Sequence, residues 1–155
     1  MTTPSPKLPL TDAERAQLRL CHIRLRDIAG MDVMGLSDVL ECLPERAKSL
    51  RALAEFQTIP SIGPKAAQWV VDLGYFSLDE IRHETGANLL NRLEQRYGYW
   101  LDPCVEDTLR CIVHHANTPG SDKSWFAFTE DRKTYRQQHG YPATRPTLAW
   151  HEVNS

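Results

Sequence analysis

No apolar run in this 155-residue chain approaches the ~18 residues that a membrane span needs, and the opening MTTPSPKLPL lacks the charged-then-apolar layout of a secretory signal. Both absences predict a cytoplasmic protein with no membrane contact. A basic surplus is missing too: 18 Lys and Arg face 20 Asp and Glu, a net charge of −2. A protein that coats nucleic acid over its whole surface carries a clear excess of cations. The four cysteines, Cys21, Cys42, Cys104 and Cys111, form no close pairs, which in a reducing compartment predicts free buried thiols rather than disulfides. There is no Gly-Lys-Ser or Gly-Lys-Thr phosphate loop, no paired-carboxylate pattern and no nucleophile motif, so no enzymatic activity and no cofactor are expected.

Strand patterns are scarce as well, with alternation only around Phe126 and Phe128. Helical signals fill most of the rest. Thr11 with Glu14 forms a capping-box pattern, and Leu18, Cys21, Leu25 and Ile28 recur at helical spacing after it. Arg15, Arg19, His22 and Arg26 follow the same spacing beside that stripe, which predicts a basic flank along one helix. Gly30 and Gly35 mark a loop, and Ser37 is expected to cap a short helix to Cys42. Pro44 opens a helix that buries Ala47, Leu50, Leu53 and Phe56 against Ala66, Trp69, Val70 and Leu73 of the next, which Gly74 ends. Ser77 with Glu80 predicts another capping box; Ala87–Tyr97 reads as a helix stopped by Gly98, and Asp102 with Pro103 starts one that buries Val105, Leu109, Ile112 and Ala116. The fold class is therefore all-α, a compact helical bundle. The expected organisation is a disordered or extended segment over 1–10, a helical domain over 11–116, and an irregular aromatic-containing segment over 117–155 packing on it.

The most informative segment is IPSIGPK, Ile59 to Lys65, between two of these helices. Gly63 is expected to take the positive φ of the reversal, and Pro64 suits a first helical position. Lys65 and Ala66 then present backbone N–H groups at a helix N-terminus, where the dipole also favours an anion, and the Lys65 ammonium adds a mobile point charge. Such a site suits phosphate better than a base edge. Residues 46–75 carry Arg46, Lys48, Arg51 and Lys65 against Glu55 and Asp72, so this region is basic. Residues 76–116 carry four arginines against seven acids and are acidic.

IPSIGPKAAQWVVDLG resembles the helix-hairpin-helix element of DNA repair glycosylases, ligases, nuclease subunits and recombination proteins. Ile59, Pro60, Ile62, Gly63, Pro64, Lys65 and Ala66 match it, while Ser61 stands where that element favours glycine. The wider span from about Arg51 to Phe128, with LGYFSLDEIR, DPCVEDTLRCIVHHA and SWFAF, is similar to the bacterial pathogenicity-locus family, some of whose members carry a mitomycin-resistance label. The resemblance implies backbone-directed binding of duplex DNA without strong sequence preference, in repair or recombination, through Ser61, Ile62, Gly63, Lys65 and Ala66. A second contact is needed beside one hairpin, and the candidates are Arg15, Arg19 and Arg26, a dimer mate, or a second hairpin made by the helices before Gly98 and after Asp102. The alternative is a protein-interaction module, binding a partner or a second copy through the hairpin and the aromatic segment, with the acidic 76–116 region in its favour.

Metal and thiol chemistry are weaker expectations. Cys111 and His115 have the i, i+4 spacing of a zinc pair, but Cys104 lies ~10 Å along the same helix at about 1.5 Å per residue, so no metal site is expected. Cys104 sits near a helix N-terminus, which lowers a thiol pKa. His114 and His115 fall where a positive imidazole complements a helix C-terminus.

Overall fold

In the computed structural model of the chain, which describes residues 4–153, the Thr11 hydroxyl accepts the Glu14 N–H at 3.1 Å and the Glu14 carboxylate accepts the Thr11 N–H at 2.9 Å. That box opens helix α1, Asp12–Leu20. Of the 1–10 segment, residues 1–3 lie outside the described residues; residues 4–10 carry no helix, and Pro6 and Leu8 are buried. Helices α2 (Val33–Leu40), α3 (Pro44–Phe56), α4 (Pro64–Asp72), α5 (Leu78–Ile81), α6 (Gly86–Tyr97), α7 (Cys104–Asn117) and α8 (Thr129–His139) follow. Short 3-10 turns occupy Leu25–Gly30, Trp125–Phe128 and Trp150–Glu152. Among the described residues no β-strand forms, only an isolated bridge between Trp100 and Ala149, so the fold is all-α. None of the described helices is long and apolar enough to cross a membrane. The chain divides into two compact units between Glu80 and Ile81, inside the span read from sequence as one domain.

In the first unit the core gathers Leu18, Ile28, Leu36, Leu50, Phe56 and Val70. α3 and α4 pack on one another, and the short side chains of Ala66 and Ala67 at the start of α4 are buried. Gly74, at φ +95°, ends α4 in the left-handed conformation its position predicts. The long first helix expected through Ile28 does not form. α1 stops at Leu20, His22 turns the chain at φ 57°, and the Asp27 carboxylate accepts the Arg24 N–H at 2.9 Å to begin the first 3-10 turn. This local carboxylate-to-backbone bond competes with helix propagation and wins. Helix α2 also starts earlier than expected, capped by Asp32, which accepts the Gly35 N–H at 3.1 Å. Ser37 lies inside it and donates to the Cys42 carbonyl at 2.6 Å.

In the second unit α6 and α7 pack around Leu89, Leu90, Leu93, Leu109 and Ile112. Gly98 ends α6 at φ 79°, and Asp102 accepts the Cys104 N–H at 2.9 Å to start α7. Ala116, expected in the buried stripe, is only half-buried. The tail expected to be irregular from Asn117 instead contains α8, held down by arginines. Arg132 pairs with Asp107 at 2.8 Å, Arg136 with Glu106 at 2.8 Å, and Arg145, beyond the helix, with Glu94 at 2.8 Å. Gly86 sets the α6–α7 distance, since an added Cβ would lie 2.3 Å from Arg110 Cγ and 2.9 Å from its backbone N. Gly86→Ala is expected to destabilise the protein by about 1–3 kcal/mol in urea titration, the cost of overpacking a closed contact.

Candidate functional site

Between α3 and α4 the chain reverses through Ile59-Pro60-Ser61-Ile62, closed by an Ile62 N–H to Ile59 carbonyl bond of 3.2 Å. Proline pre-sets the first central position of such a turn, and the type II form then demands a positive φ at the second. Ser61 occupies that second position at φ 68°. The expectation that Gly63 carries the reversal is corrected: Gly63 is extended, at φ −99° and ψ −172°. Ile59 and Ile62 are both buried and pin the turn to the core. Pro64 takes the first helical position of α4, as predicted, and no side chain caps the helix. The Lys65 and Ala66 N–H groups therefore open the helix without a capping acceptor, and the Lys65 side chain is exposed beside them.

Gly63 is glycine for no reason internal to the fold. Its dihedrals suit any residue, and a Cβ built on it meets nothing within 4 Å. It lines an open groove of about 680 Å³ walled by residues 57–64 on one side and residues 4–7 on the other. Sequence reasoning gave the second wall no role. It is positioned by Gln57, itself only 8% exposed, whose Oε1 accepts the Lys7 N–H and whose Nε2 donates to the Lys7 carbonyl, both at 3.0 Å. The only sequence signal was an isolated lysine in a proline-rich stretch.

The other cations of the region are committed elsewhere. Arg46 pairs with Glu14 at 2.6 Å and donates to the Pro9 carbonyl at 2.9 Å. Arg51 donates to the Met31 carbonyl at 2.8 Å, and the Lys48 ammonium sits 4.5 Å from the centre of the Phe76 ring. Of the four basic residues counted in 46–75, Lys65 alone faces solvent beside the turn. Arg15 and Arg19 are exposed on α1, with Arg15 reaching the Leu8 carbonyl at 3.4 Å. Arg26 belongs to the separate 3-10 turn, so the predicted four-residue basic stripe is broken at His22.

The hydrogen bonds and charge of Arg46 hold the Glu14 carboxyl down to about 2, from 4.5. A carboxylate with a lowered folded pKa stabilises the fold fully above its unfolded value and progressively less as pH falls through the folded one. Protection of the Thr11 amide, which donates to Glu14, is expected to hold above about pH 4.5 and decline toward about pH 2 in hydrogen exchange, and Glu14→Gln to remove that dependence.

In the second unit the Cys104 thiol departs from the lowered pKa that its helix position suggests. Burial, and then the Asp102 carboxylate, push the Cys104 thiol up to about 11, overriding the helix N-terminus that predicted a lowered value. Cys111 and His115 both turn to the Lys123 carbonyl, at 3.7 and 2.7 Å, and among the described residues no group of three or more His, Cys, Asp or Glu is placed to hold a metal ion. Burial, with His115 and Lys123 nearby, lowers the pKa of His114, which works against the charged imidazole expected at the helix C-terminus. Three of the seven acids of residues 76–116 are internal, while Asp79 and Glu80 are exposed and Glu84 and Asp102 half-buried. Glu94, Glu106 and Asp107 are buried beneath arginines and offer no acidic surface for a partner. Alkylation by iodoacetamide at pH 8 is expected to modify exposed Cys21 at least tenfold faster than Cys104, because the thiolate is the reacting form.

Residues 49–134 match the family model described as Pathogenicity locus. The chain is also similar to the mitomycin resistance protein McrB of Streptomyces lavendulae, at 24% identity over 88 residues, 57% of this chain and 83% of that protein. No solved structure matches it.

Proposed function

This chain belongs to the pathogenicity-locus family, and we propose that it binds duplex DNA through backbone phosphates, without strong sequence preference, at a helix-hairpin-helix made of α3, the 57–63 connection and α4. Binding is the whole of the function; no chemical step is involved. Gly63 carries this reading. The fold places no demand on its identity, whereas a phosphate approaching the Lys65 and Ala66 amides needs the space that a side chain at 63 would enter. Ser61 supports it, because the left-handed conformation that the element favours glycine for is present with serine in its place. The similarity to a protein named for mitomycin resistance suits an accessory role in DNA repair or recombination, within the cytoplasm.

The site is weak by construction. Two phosphates neutralised give a slope of about −1.8 in log affinity against log salt, from roughly −0.9 per contact. Two variants separate folding from binding. Gly63→Ala is expected to leave stability unchanged or raise it by up to about 1 kcal/mol, yet to weaken binding to a labelled duplex by roughly tenfold or more, the worth of a charge-assisted hydrogen bond. Lys65→Glu is expected to abolish binding in fluorescence anisotropy at low salt. Wild-type affinity in both variants would sink the proposal.

A further inference from the structure

We propose that Lys7 is a further phosphate contact for the same DNA backbone, beyond those of the hairpin, held in place across the groove by Gln57; this rests on the DNA-binding reading of the hairpin. Backbone geometry directs the side chain. In an extended segment successive side chains alternate, and here Pro6 and Leu8 are buried while Lys7 is exposed. The segment is fixed at three successive carbonyls. Gln57 donates to that of Lys7, Arg15 to that of Leu8, and Arg46 to that of Pro9.

Gln57 makes this more than a packed terminus. Its amide pairs with both the N–H and the carbonyl of Lys7, at 3.0 Å each, as a neighbouring strand would, and also donates to the Leu53 carbonyl at 3.1 Å on α3. The residue that ends α3 therefore also sets the position of Lys7. Lys7 and Lys65 then line one depression of about 340 Å³ floored by Leu53, Pro9 and Pro64. Neither ammonium has an ion-pair partner among the described residues. Two exposed lysines lining one largely apolar depression, beside a helix start with no side-chain cap, complement a run of phosphates on one strand. Lysine suits this role because it acts on phosphate as a mobile point charge and needs no bidentate geometry. Arg15 reaches the Leu8 carbonyl, so its contribution to this surface is to steady the backbone beside Lys7.

The test is anisotropy with a labelled duplex across a salt series, using the full chain and the variants Lys7→Ala, Lys7→Arg, Gln57→Met and Lys65→Glu, with far-UV circular dichroism to verify folding. Removing one contact is expected to reduce the salt slope by about 0.9, so that across a fourfold rise in salt Lys7→Ala loses ~3.5-fold less affinity than wild type. Lys7→Arg restores the slope, and Gln57→Met reproduces the Lys7→Ala slope without any change in charge. If Lys65→Glu abolishes binding while Lys7→Ala keeps the wild-type slope, the Lys7 contact is overturned and the hairpin stands. If Lys7→Ala lowers the slope and Gln57→Met does not, positioning by Gln57 is overturned. If the wild-type protein shows no salt-dependent binding, the hairpin reading falls and takes this inference with it.

Discussion

A carboxylate removed from water must be met by a cation, and both units of this protein are organised around that requirement. Moving one ion into a low-dielectric interior costs several kcal/mol, and stripping a partner from a buried pair costs roughly 3–5 kcal/mol. Glu14, Glu94, Glu106 and Asp107 are each 5% exposed or less. Each is met by a guanidinium: Glu14 by Arg46, Glu94 by Arg145, Glu106 by Arg110 and Arg136, and Asp107 by Arg132. Where these pairs lie decides which segments are tied down. In the first unit the pair holds Pro9 beside α1 and α3; in the second such pairs tie the ordered helix α8 down.

The same requirement changes what net charge means here. A total of −2 includes four buried carboxylates, Glu14, Glu94, Glu106 and Asp107, that arginines neutralise within the fold. The potential available to a partner is set by what remains exposed. Beside the α3–α4 turn, that is a pair of lysines. An overall charge near zero is thus compatible with a local cationic groove, and the acidity of residues 76–116 is compatible with the absence of an acidic face around its three buried carboxylates.

Two helix connections show how similar local rules lead to different outcomes. The turn between α6 and α7 begins at Gly98 in the left-handed conformation, but its Trp100 is bonded on both sides by the chain's own C-terminal segment. The Trp100 N–H donates to the Leu148 carbonyl and the Trp150 N–H to the Trp100 carbonyl, each at 2.8 Å. That connection is closed. At the turn between α3 and α4 a Cβ built on Gly63 meets nothing within 4 Å among the described residues, and α4 starts without a side-chain cap.

Much of the helical content was legible because its determinants lie three or four residues apart. Thr11 with Glu14, Pro44, Gly74, Gly98 and Asp102 all act where local spacing places them. Local competition was harder to read: Asp27 and Asp32 redirected two helices through single bonds to backbone, and Pro60 moved the positive φ from Gly63 to Ser61. The buried pairs, apart from Glu106 with Arg110 four residues on, were not legible. Glu14 and Arg46 are 32 positions apart, Asp107 and Arg132 are 25, Glu94 and Arg145 are 51, and Lys7 reaches Gln57 across 50. The sequence by itself determined the all-α class and the presence of a tight turn between α3 and α4, because capping and turn chemistry are short-range. Only the tertiary structure decided which charges are spent internally and that Lys7 stands with Lys65, because charge compensation and side-chain clamping join residues that no local period connects.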